Sequence, residues 1–297
     1  MSDSGILLQT TDIKKTNKKA ATHFALCNGS QLRYLIDLDG GKKKLSENIA
    51  AYSKKLGLLM YMINFLPLSL LEKTGIGYFA RIRLHPEIEE CRRNTKKPHW
   101  NMIVGTYDEK QKVVLQCFDN EGESEFIKVG NSATEEEMNV EISFLSDKRK
   151  YKSFDVPELI GSKLRSEGSE FNIQVTREFY GDKVEPVLNG EIIRIYLELS
   201  SDKKGNLEFS HGDFAPWNFK KNNGRYTLFD WEHCGYRMEG FDLMHYAMII
   251  EVIINGKDFS EAFDIGLVNI KEHLPKFNID KTAFLEEFQK LRTQINQ

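Results

Sequence analysis

One short segment of the chain carries polar side chains at a spacing that could bring them together. It begins with His211 and Asp213, separated by one glycine, and reaches Asn218 one short loop later. The Asn-Asn-Gly sequence at residues 222–224 favours a turn. The apolar run after this turn predicts a strand that ends at Asp230. A hairpin of this kind would bring Asp230 back beside Asn218.

These residue types could perform a defined chemistry. Asp213 follows a His-Gly pair in a loop, where a carboxylate can be exposed and can accept a proton. Asn218 and Asp230 both offer oxygen atoms, which are the ligands that Mg²⁺ prefers beside phosphates and waters. The segment therefore predicts a proton acceptor next to a metal-binding pair. The alternative is a buried polar turn of another α/β protein, in which His211 only forms hydrogen bonds within the core.

The order of these residues is H-x-D-x-x-x-x-N followed by an Asp, which is the order of a kinase catalytic loop. The stretch resembles the aminoglycoside phosphotransferase and choline kinase superfamily, whose members are small-molecule kinases with a protein-kinase-like fold. Residues 211–213 look like the aminoglycoside phosphotransferase version. Residues 230–232 (Asp-Trp-Glu) and 241–243 (Phe-Asp-Leu) look more like the choline kinase version. The resemblance covers residues 100–255.

The resemblance implies a role for each matching residue. Asp213 would orient or deprotonate the acceptor hydroxyl, and His211 would support the backbone of the loop. Asn218 and Asp230 would hold Mg²⁺ against the phosphates of the nucleotide. Asp242 would brace the catalytic loop by accepting hydrogen bonds from its backbone.

Upstream of this loop, apolar runs separated by polar turns predict a three-stranded antiparallel meander over residues 101–107, 112–118 and 125–129. Lys128 in the third strand matches the kinase lysine that binds the α- and β-phosphates. The alternative is an edge-strand lysine that points to water.

A helix with an acidic first turn should follow the meander. Its Glu141 resembles the glutamate that pairs with the strand lysine, and Glu137 is the competing choice. Kinases of the protein class carry a G-x-G-x-x-G loop, whereas this chain has only Gly105 at that position. The resemblance implies that ATP is the nucleotide, and GTP stays an alternative.

The acceptor is predicted less sharply than the nucleotide. Glu232, Trp231 and Tyr236 follow the metal-binding Asp and could bind a cationic amino alcohol through charge and cation–π contacts. The same residues would suit an aminoglycoside or a sugar, or the two aromatic rings could belong to the core. Residues 211–218 also resemble kinase-like proteins of bacterial surface-glycan synthesis, so a glycan or lipid-linked sugar is a further alternative. A catalytically silent, kinase-like binding module is another.

Composition limits the environment of the protein. The chain has 297 residues and a formal net charge of -3, which argues against nucleic acid as a partner. Its four cysteines are far apart, and residues 1–19 lack the apolar core of a secretory signal, so we expect a cytoplasmic protein. The apolar segment 56–71 is too short and too interrupted to span a membrane. It predicts a buried helix or, alternatively, peripheral membrane contact.

Together these observations predict an α+β protein with a two-lobed, protein-kinase-like fold. Residues 1–98 would form an N-terminal extension of unknown role. Residues 99–175 would form a small antiparallel β lobe that binds the nucleotide. Residues 176–297 would form a mostly helical large lobe with the catalytic and acceptor-binding residues.

Overall fold

The computed structural model of the protein describes residues 6–48, 61, 63, 65–121, 123–177 and 181–295. The chain forms two compact units. The first unit contains Met1–Met138 and Glu158–Glu178, and the second contains Asn139–Pro157 and Phe179–Gln297. The chain therefore leaves the first unit after Met138, returns to it at Glu158 and leaves it again after Glu178.

The strands within the described residues are short, and nine of them belong to one sheet. In chain order they are β1 (Thr11–Lys15), β2 (His23–Asn28), β3 (Gln31–Asp37), β4 (Gly77–Leu84), β5 (His99–Val104), β6 (Val113–Phe118), β7 (Ser124–Gly130), β8 (Phe154–Asp155), β9 (Leu159–Lys163), β10 (Asn172–Arg177), β11 (Asp182–Lys183), β12 (Lys203–Lys204), β13 (Leu207–Ser210), β14 (Phe219–Asn222), β15 (Arg225–Leu228) and β16 (Gly235–Met238).

The three longest of the described helices lie between residues 241 and 295. In chain order the described helices are α1 (Ile6–Thr10), α2 (Gly41–Asn48), α3 (Leu68–Lys73), α4 (Pro86–Asn94), α5 (Glu135–Ser146), α6 (Gly190–Leu199), α7 (Phe241–Ile253), α8 (Phe259–His273) and α9 (Lys281–Ile295).

The first unit is built on the nine-stranded antiparallel sheet, whose strand order is β1-β4-β2-β3-β5-β6-β7-β10-β9. Strands β5, β6 and β7 are the predicted meander, which is confirmed. Alternate residues of these strands, such as Met102, Leu115 and Ile127, have no exposed surface and form the core. Strands β1–β4, from the segment predicted as an N-terminal extension, join the same sheet. The boundary at residue 98 stays a prediction.

Residues 56–60, 62 and 64 of the predicted apolar segment 56–71 lie outside the described residues. Within it, Ile63 is buried, whereas the side chains of Tyr61 and Phe65 are exposed. In the part of the chain that the structure describes, no helix is long and apolar enough to cross a membrane.

The second unit combines helices α6–α9 with two small sheets, in the orders β11-β14-β15-β8 and β12-β13-β16. Helix α8 spans Phe259–His273, and helix α9 spans Lys281–Ile295. Asp258 caps α8 by accepting the N–H of Glu261 at 2.9 Å, and Asp280 accepts the N–H of Ala283 at 2.7 Å near the start of α9. The α+β class, with one antiparallel sheet unit and one mostly helical unit, is confirmed.

Candidate active site

The loop that follows β13 has a backbone that requires glycine at one point. Gly212 has a φ angle of +86°, a conformation that residues with a side chain rarely adopt. A Cβ atom at this position would also collide with the carbonyl oxygen of His233. The glycine of the His-Gly-Asp sequence therefore sets the path that presents Asp213.

Asp242, in the first turn of α7, holds this loop through three hydrogen bonds. Its Oδ2 accepts the N–H of His211 at 2.6 Å. Its Oδ1 accepts the Ser210 hydroxyl at 2.7 Å and the N–H of Gly212 at 3.1 Å. Burial raises the pKa of Asp242, and these three donors oppose the rise. Asp242 therefore braces residues 210–212, as predicted, and the catalytic role of this loop stays a prediction.

His211 is fully buried, and its two ring nitrogens have different partners. Nε2 donates to the carbonyl oxygen of Phe229 at 3.0 Å, and Nδ1 accepts the N–H of Asp213 at 3.3 Å. Both contacts are satisfied when the proton is on Nε2 and the ring is neutral. Burial lowers the pKa of His211 to about 4, which agrees with a neutral ring. His211 thus ties the loop to the end of β15.

The Asp213 carboxylate is held on one side and partly open to solvent. The Nδ2 group of Asn218 donates to Asp213 Oδ2 at 2.8 Å and to the Asp213 carbonyl oxygen at 2.8 Å. About a quarter of the Asp213 side chain, 24%, is exposed. Burial raises the pKa of Asp213 and the charge of Asp230 raises it further, whereas His211 and Asn218 oppose the rise. A raised pKa suits a group that accepts a proton during a reaction.

The predicted hairpin is confirmed and brings the second acidic residue to this loop. Strands β14 and β15 pair through a turn in which Asn223 and Gly224 have positive φ angles of 49° and 82°. After the hairpin, Phe229 donates its N–H to the carbonyl oxygen of Asn218 at 3.1 Å. Asp230 has a φ angle of 70°, a strained conformation of the kind that clusters at functional sites.

Three carboxyl groups meet around this strained residue. Glu141 from α5, Asp230 and Glu232 each have a carboxylate oxygen within 4.8 Å of the others. Glu141 is buried, and its Oε1 also accepts the N–H of Trp231 at 3.2 Å. Like charges this close repel one another unless a cation or a proton lies among them. The oxygen donors match the preference of a hard divalent cation. Only Asp230 of the three was predicted as a metal ligand.

Lys128 lies in β7 of the first unit, between β6 and β10. It is therefore not an edge-strand residue, which was the alternative. Its neighbours Ile127 and Val129 are buried in the core, so Lys128 points to the opposite face of the sheet. Its binding of phosphate stays a prediction.

Two other residues predicted near the nucleotide also belong to the first unit. Gly105 follows β5 and donates its N–H to the carbonyl oxygen of Lys112 at 2.9 Å. A Cβ atom at Gly105 would lie 2.8 Å from that oxygen, so glycine is required for this close approach. Glu137, the competitor of Glu141, accepts hydrogen bonds from Lys110 at 2.8 Å and Lys112 at 2.5 Å.

The three residues predicted on the acceptor side have different surroundings. Trp231 has no exposed surface and stacks on Phe144 with ring centroids 4.0 Å apart, which favours its alternative role in the core. Glu232 belongs to the carboxylate group described above. Tyr236 is 39% exposed, and its hydroxyl donates to Asp202 Oδ1 at 2.9 Å.

Two buried residues of the second unit were not predicted. The Nε2 atom of His245 lies 3.7 Å from Asp213 Oδ1. Glu208 in β13 accepts the N–H of Gly240 at 2.8 Å and the hydroxyl of Tyr196 at 3.3 Å. The available signal for His245 was its position three residues after the predicted bracing Asp on the same helix. For Glu208 it was a charged residue within a short apolar strand.

No family model matches the chain, and no curated protein matches it. Among solved structures, an amicoumacin kinase in complex with AMP-PNP and Ca²⁺ is 15% identical with a TM-score of 0.40, over 71% of this chain and 85% of that chain. A spectinomycin phosphotransferase in complex with ADP and spectinomycin is 13% identical with a TM-score of 0.40, over 69% and 84%. A microcompartment-associated aminopropanol kinase is 11% identical with a TM-score of 0.40, over 69% and 86%. Each of these three structures is named as a kinase or a phosphotransferase.

Proposed function

We propose that the chain is an ATP-dependent phosphotransferase that moves the γ-phosphoryl group to a hydroxyl group of a small molecule. The observation that supports this most directly is the held and partly exposed Asp213 carboxylate in the H-x-D-x-x-x-x-N loop. The charge of Asp230, a member of the three-carboxylate group, acts on this same carboxylate. A proton acceptor beside a set of oxygen ligands is what phosphoryl transfer to an alcohol needs.

In the proposed step, Asp213 takes the proton of the acceptor hydroxyl. The acceptor oxygen forms a bond to the γ-phosphorus while the bond from that phosphorus to the β,γ-bridging oxygen breaks, and ADP leaves. Asn218 holds Asp213 Oδ2, and neutral His211 keeps the loop on the end of the hairpin. The chain's own residues thus supply the position and basicity of the proton acceptor.

The ligands of the expected Mg²⁺ would come from the second unit. Asn218 donates through its amide nitrogen, which leaves Oδ1 as its acceptor atom. Asp230 is the other predicted ligand, and the oxygens of Glu141 and Glu232 lie within 4.8 Å of it and of each other. When bound, the cation would neutralise charge on the phosphates.

We further propose that Lys128 and Gly105 serve nucleotide binding, as the resemblance implies. Lys128 is in an interior strand, and Gly105 follows the first strand of the meander. The pairing of Lys128 with Glu141 and the choice of ATP over GTP stay predictions.

The acceptor that we propose is an amino alcohol, an aminoglycoside or a sugar. The alternative acceptor is a surface glycan or a lipid-linked sugar. We expect the reaction in the cytoplasm, because the cysteines Cys27, Cys91, Cys117 and Cys234 are all unpaired, as in a reducing compartment.

The test is release of ADP or GDP by the purified protein with Mg²⁺ and a panel of amino alcohols, aminoglycosides, simple sugars and glycan fragments. Asp213→Asn should abolish acceptor-dependent turnover, because an amide cannot accept the proton. Asp182→Asn is the matched control, since this carboxylate is exposed in β11 of the same unit. Nucleotide binding without turnover of any compound would favour the silent binding module. Turnover that is equal in Asp213→Asn and wild type would refute the proposal.

A further inference from the structure

Helix α7 reaches the catalytic loop at two positions. Asp242 in its first turn binds the backbone of the loop at His211 and Gly212. His245 lies three residues later, on the same face of the helix. Its Nε2 atom is 3.7 Å from Asp213 Oδ1, the oxygen opposite the one that Asn218 holds. One helix therefore contacts both the backbone of the loop and its carboxylate.

The ring of His245 is packed between aromatic neighbours, but one of its two nitrogen atoms has no hydrogen-bond partner among the described residues. The side chain is 5% exposed, and the ring lies 6.2 Å from Phe241 and 5.4 Å from Phe288 between centroids. Its Nδ1 atom is buried and has no hydrogen-bond partner among the described residues. A buried polar atom without a partner costs about 1–3 kcal/mol. An apolar side chain of similar size would avoid this cost, so packing does not explain a histidine at this position.

The surroundings of His245 determine the charge and the tautomer of its ring. Burial lowers the pKa of His245 to about 4, although the charge of Asp242 opposes this, so the ring is neutral near pH 7 and carries one proton. With the proton on Nδ1, the Nε2 lone pair would face the Asp213 carboxylate, and a donor would be buried without an acceptor. With the proton on Nε2, the N–H group lies beside Asp213 Oδ1, with 3.7 Å between Nε2 and Oδ1. The second tautomer is therefore the stable one.

The distance matters for how this contact can act. At 3.7 Å the two atoms are beyond a direct hydrogen bond. The N–H dipole still attracts the carboxylate in a site of low dielectric constant. Because Oδ1 does not share a hydrogen in a tight bond, its lone pairs stay available to the acceptor hydroxyl.

We propose that His245 is a positioning residue, which acts as a neutral Nε2–H dipole to hold the Asp213 carboxylate with Oδ1 toward the acceptor hydroxyl. Asn218 holds the other oxygen, Oδ2, through a hydrogen bond of 2.8 Å. The inference rests on the proposed phosphotransferase function and adds a residue to its machinery.

The test compares His245→Leu with His245→Gln in steady-state kinetics and thermal unfolding. Leucine removes the N–H dipole and also the unpaired nitrogen. We expect kcat to fall on the order of 10- to 100-fold, with the KM for ATP unchanged and the thermal midpoint equal or higher. Glutamine can place an amide N–H near the position of Nε2, so it should restore most of kcat. His273→Leu, at the exposed end of α8, is the control and should leave kcat unchanged.

The outcomes separate this inference from the proposed function. If wild-type protein turns over an acceptor and His245→Leu is equally active, the positioning role is wrong and the phosphotransferase proposal stands. If both substitutions lower kcat and the thermal midpoint together, His245 is only structural and the inference is overturned. If wild-type protein transfers phosphate to no compound of the panel, the proposed function fails and the inference fails with it.

Discussion

Replacing the buried carboxyl group of Glu208 with an amide should change how stability depends on pH. Glu208 lies in β13 and is 2% exposed. It accepts the N–H of Gly240 at 2.8 Å and the hydroxyl of Tyr196 at 3.3 Å. Burial raises its pKa from 4.5 to about 7, against the effect of these two hydrogen bonds and with a contribution from the charge of Asp242.

The size and sign of the effect follow from this pKa. Below pH 4.5 the carboxyl group is protonated in both the folded and the unfolded chain, so its burial does not lower the free energy of unfolding through a buried charge. As pH rises toward 7, the unfolded chain loses the proton first, and the free energy of unfolding falls. A rise in pKa from 4.5 to about 7 corresponds to about 3 kcal/mol once both states are ionised. In Glu208→Gln, the amide oxygen can accept the Gly240 N–H and the NH₂ group can donate to Tyr196 without titrating.

We therefore expect Glu208→Gln to match the wild-type protein near pH 4.5 and to be more stable by about 3 kcal/mol near pH 8. Urea unfolding followed by circular dichroism across this range gives the free-energy difference between the two proteins, in which the other titrating groups cancel. Glu286→Gln, at an exposed position of α9, is the matched control and should show no such trend. A difference that is constant across pH, or a variant that is less stable near pH 8, would refute the reasoning.

Three further changes test the loop and the metal ligands. Gly212→Ala should lower the free energy of unfolding by about 2–4 kcal/mol in urea titrations. The reason is that φ is +86° at this residue and that a Cβ atom would collide with the His233 carbonyl oxygen. Gly235→Ala is the control and should be tolerated, because the space around Gly235 is open. In Asp242→Asn, an NH₂ group replaces one of the two oxygens that accept hydrogen bonds from the backbone N–H groups of His211 and Gly212. We expect the free energy of unfolding to fall by about 2–4 kcal/mol. We also expect a fall in kcat that added Mg²⁺ does not restore. Mg²⁺ should raise the thermal midpoint of the wild-type protein by relieving repulsion among the three carboxylates, and Asp230→Asn should reduce that rise. An equal rise in both proteins would contradict this assignment.

The parts of the site predicted from the sequence are those fixed by neighbouring residues. The turn at residues 222–224 could be predicted because Asn and Gly accept positive φ angles. The contacts of Asp242 were predicted from its place in the family motif. Strands β5, β6 and β7 could be predicted because apolar runs alternate with polar turns over residues 101–129.

The remaining features depend on residues that are distant in sequence. Strand β4 pairs with both β1 and β2, and no local pattern specifies that order. His245 was overlooked because α7 is apolar on most sides and because Asp213, the carboxylate beside its Nε2 atom, is distant in sequence. Trp231 follows a residue in the left-handed conformation and packs on Phe144 from α5, which the sequence gives no means to foresee.

The discontinuity of the first unit limits how the chain can be divided. Strands β9 and β10 lie after the excursion of residues 139–157, yet β10 pairs with β7 along its whole length, from Asn172 with Gly130 to Arg177 with Glu125. A fragment that ends at Met138 would leave β7 as an edge with unpaired backbone groups, and such edges promote aggregation. The ribosome must therefore synthesise the chain to about residue 177 before β10 can pair with β7. A fragment that keeps the whole sheet of the first unit has to include residues 139–157 as well.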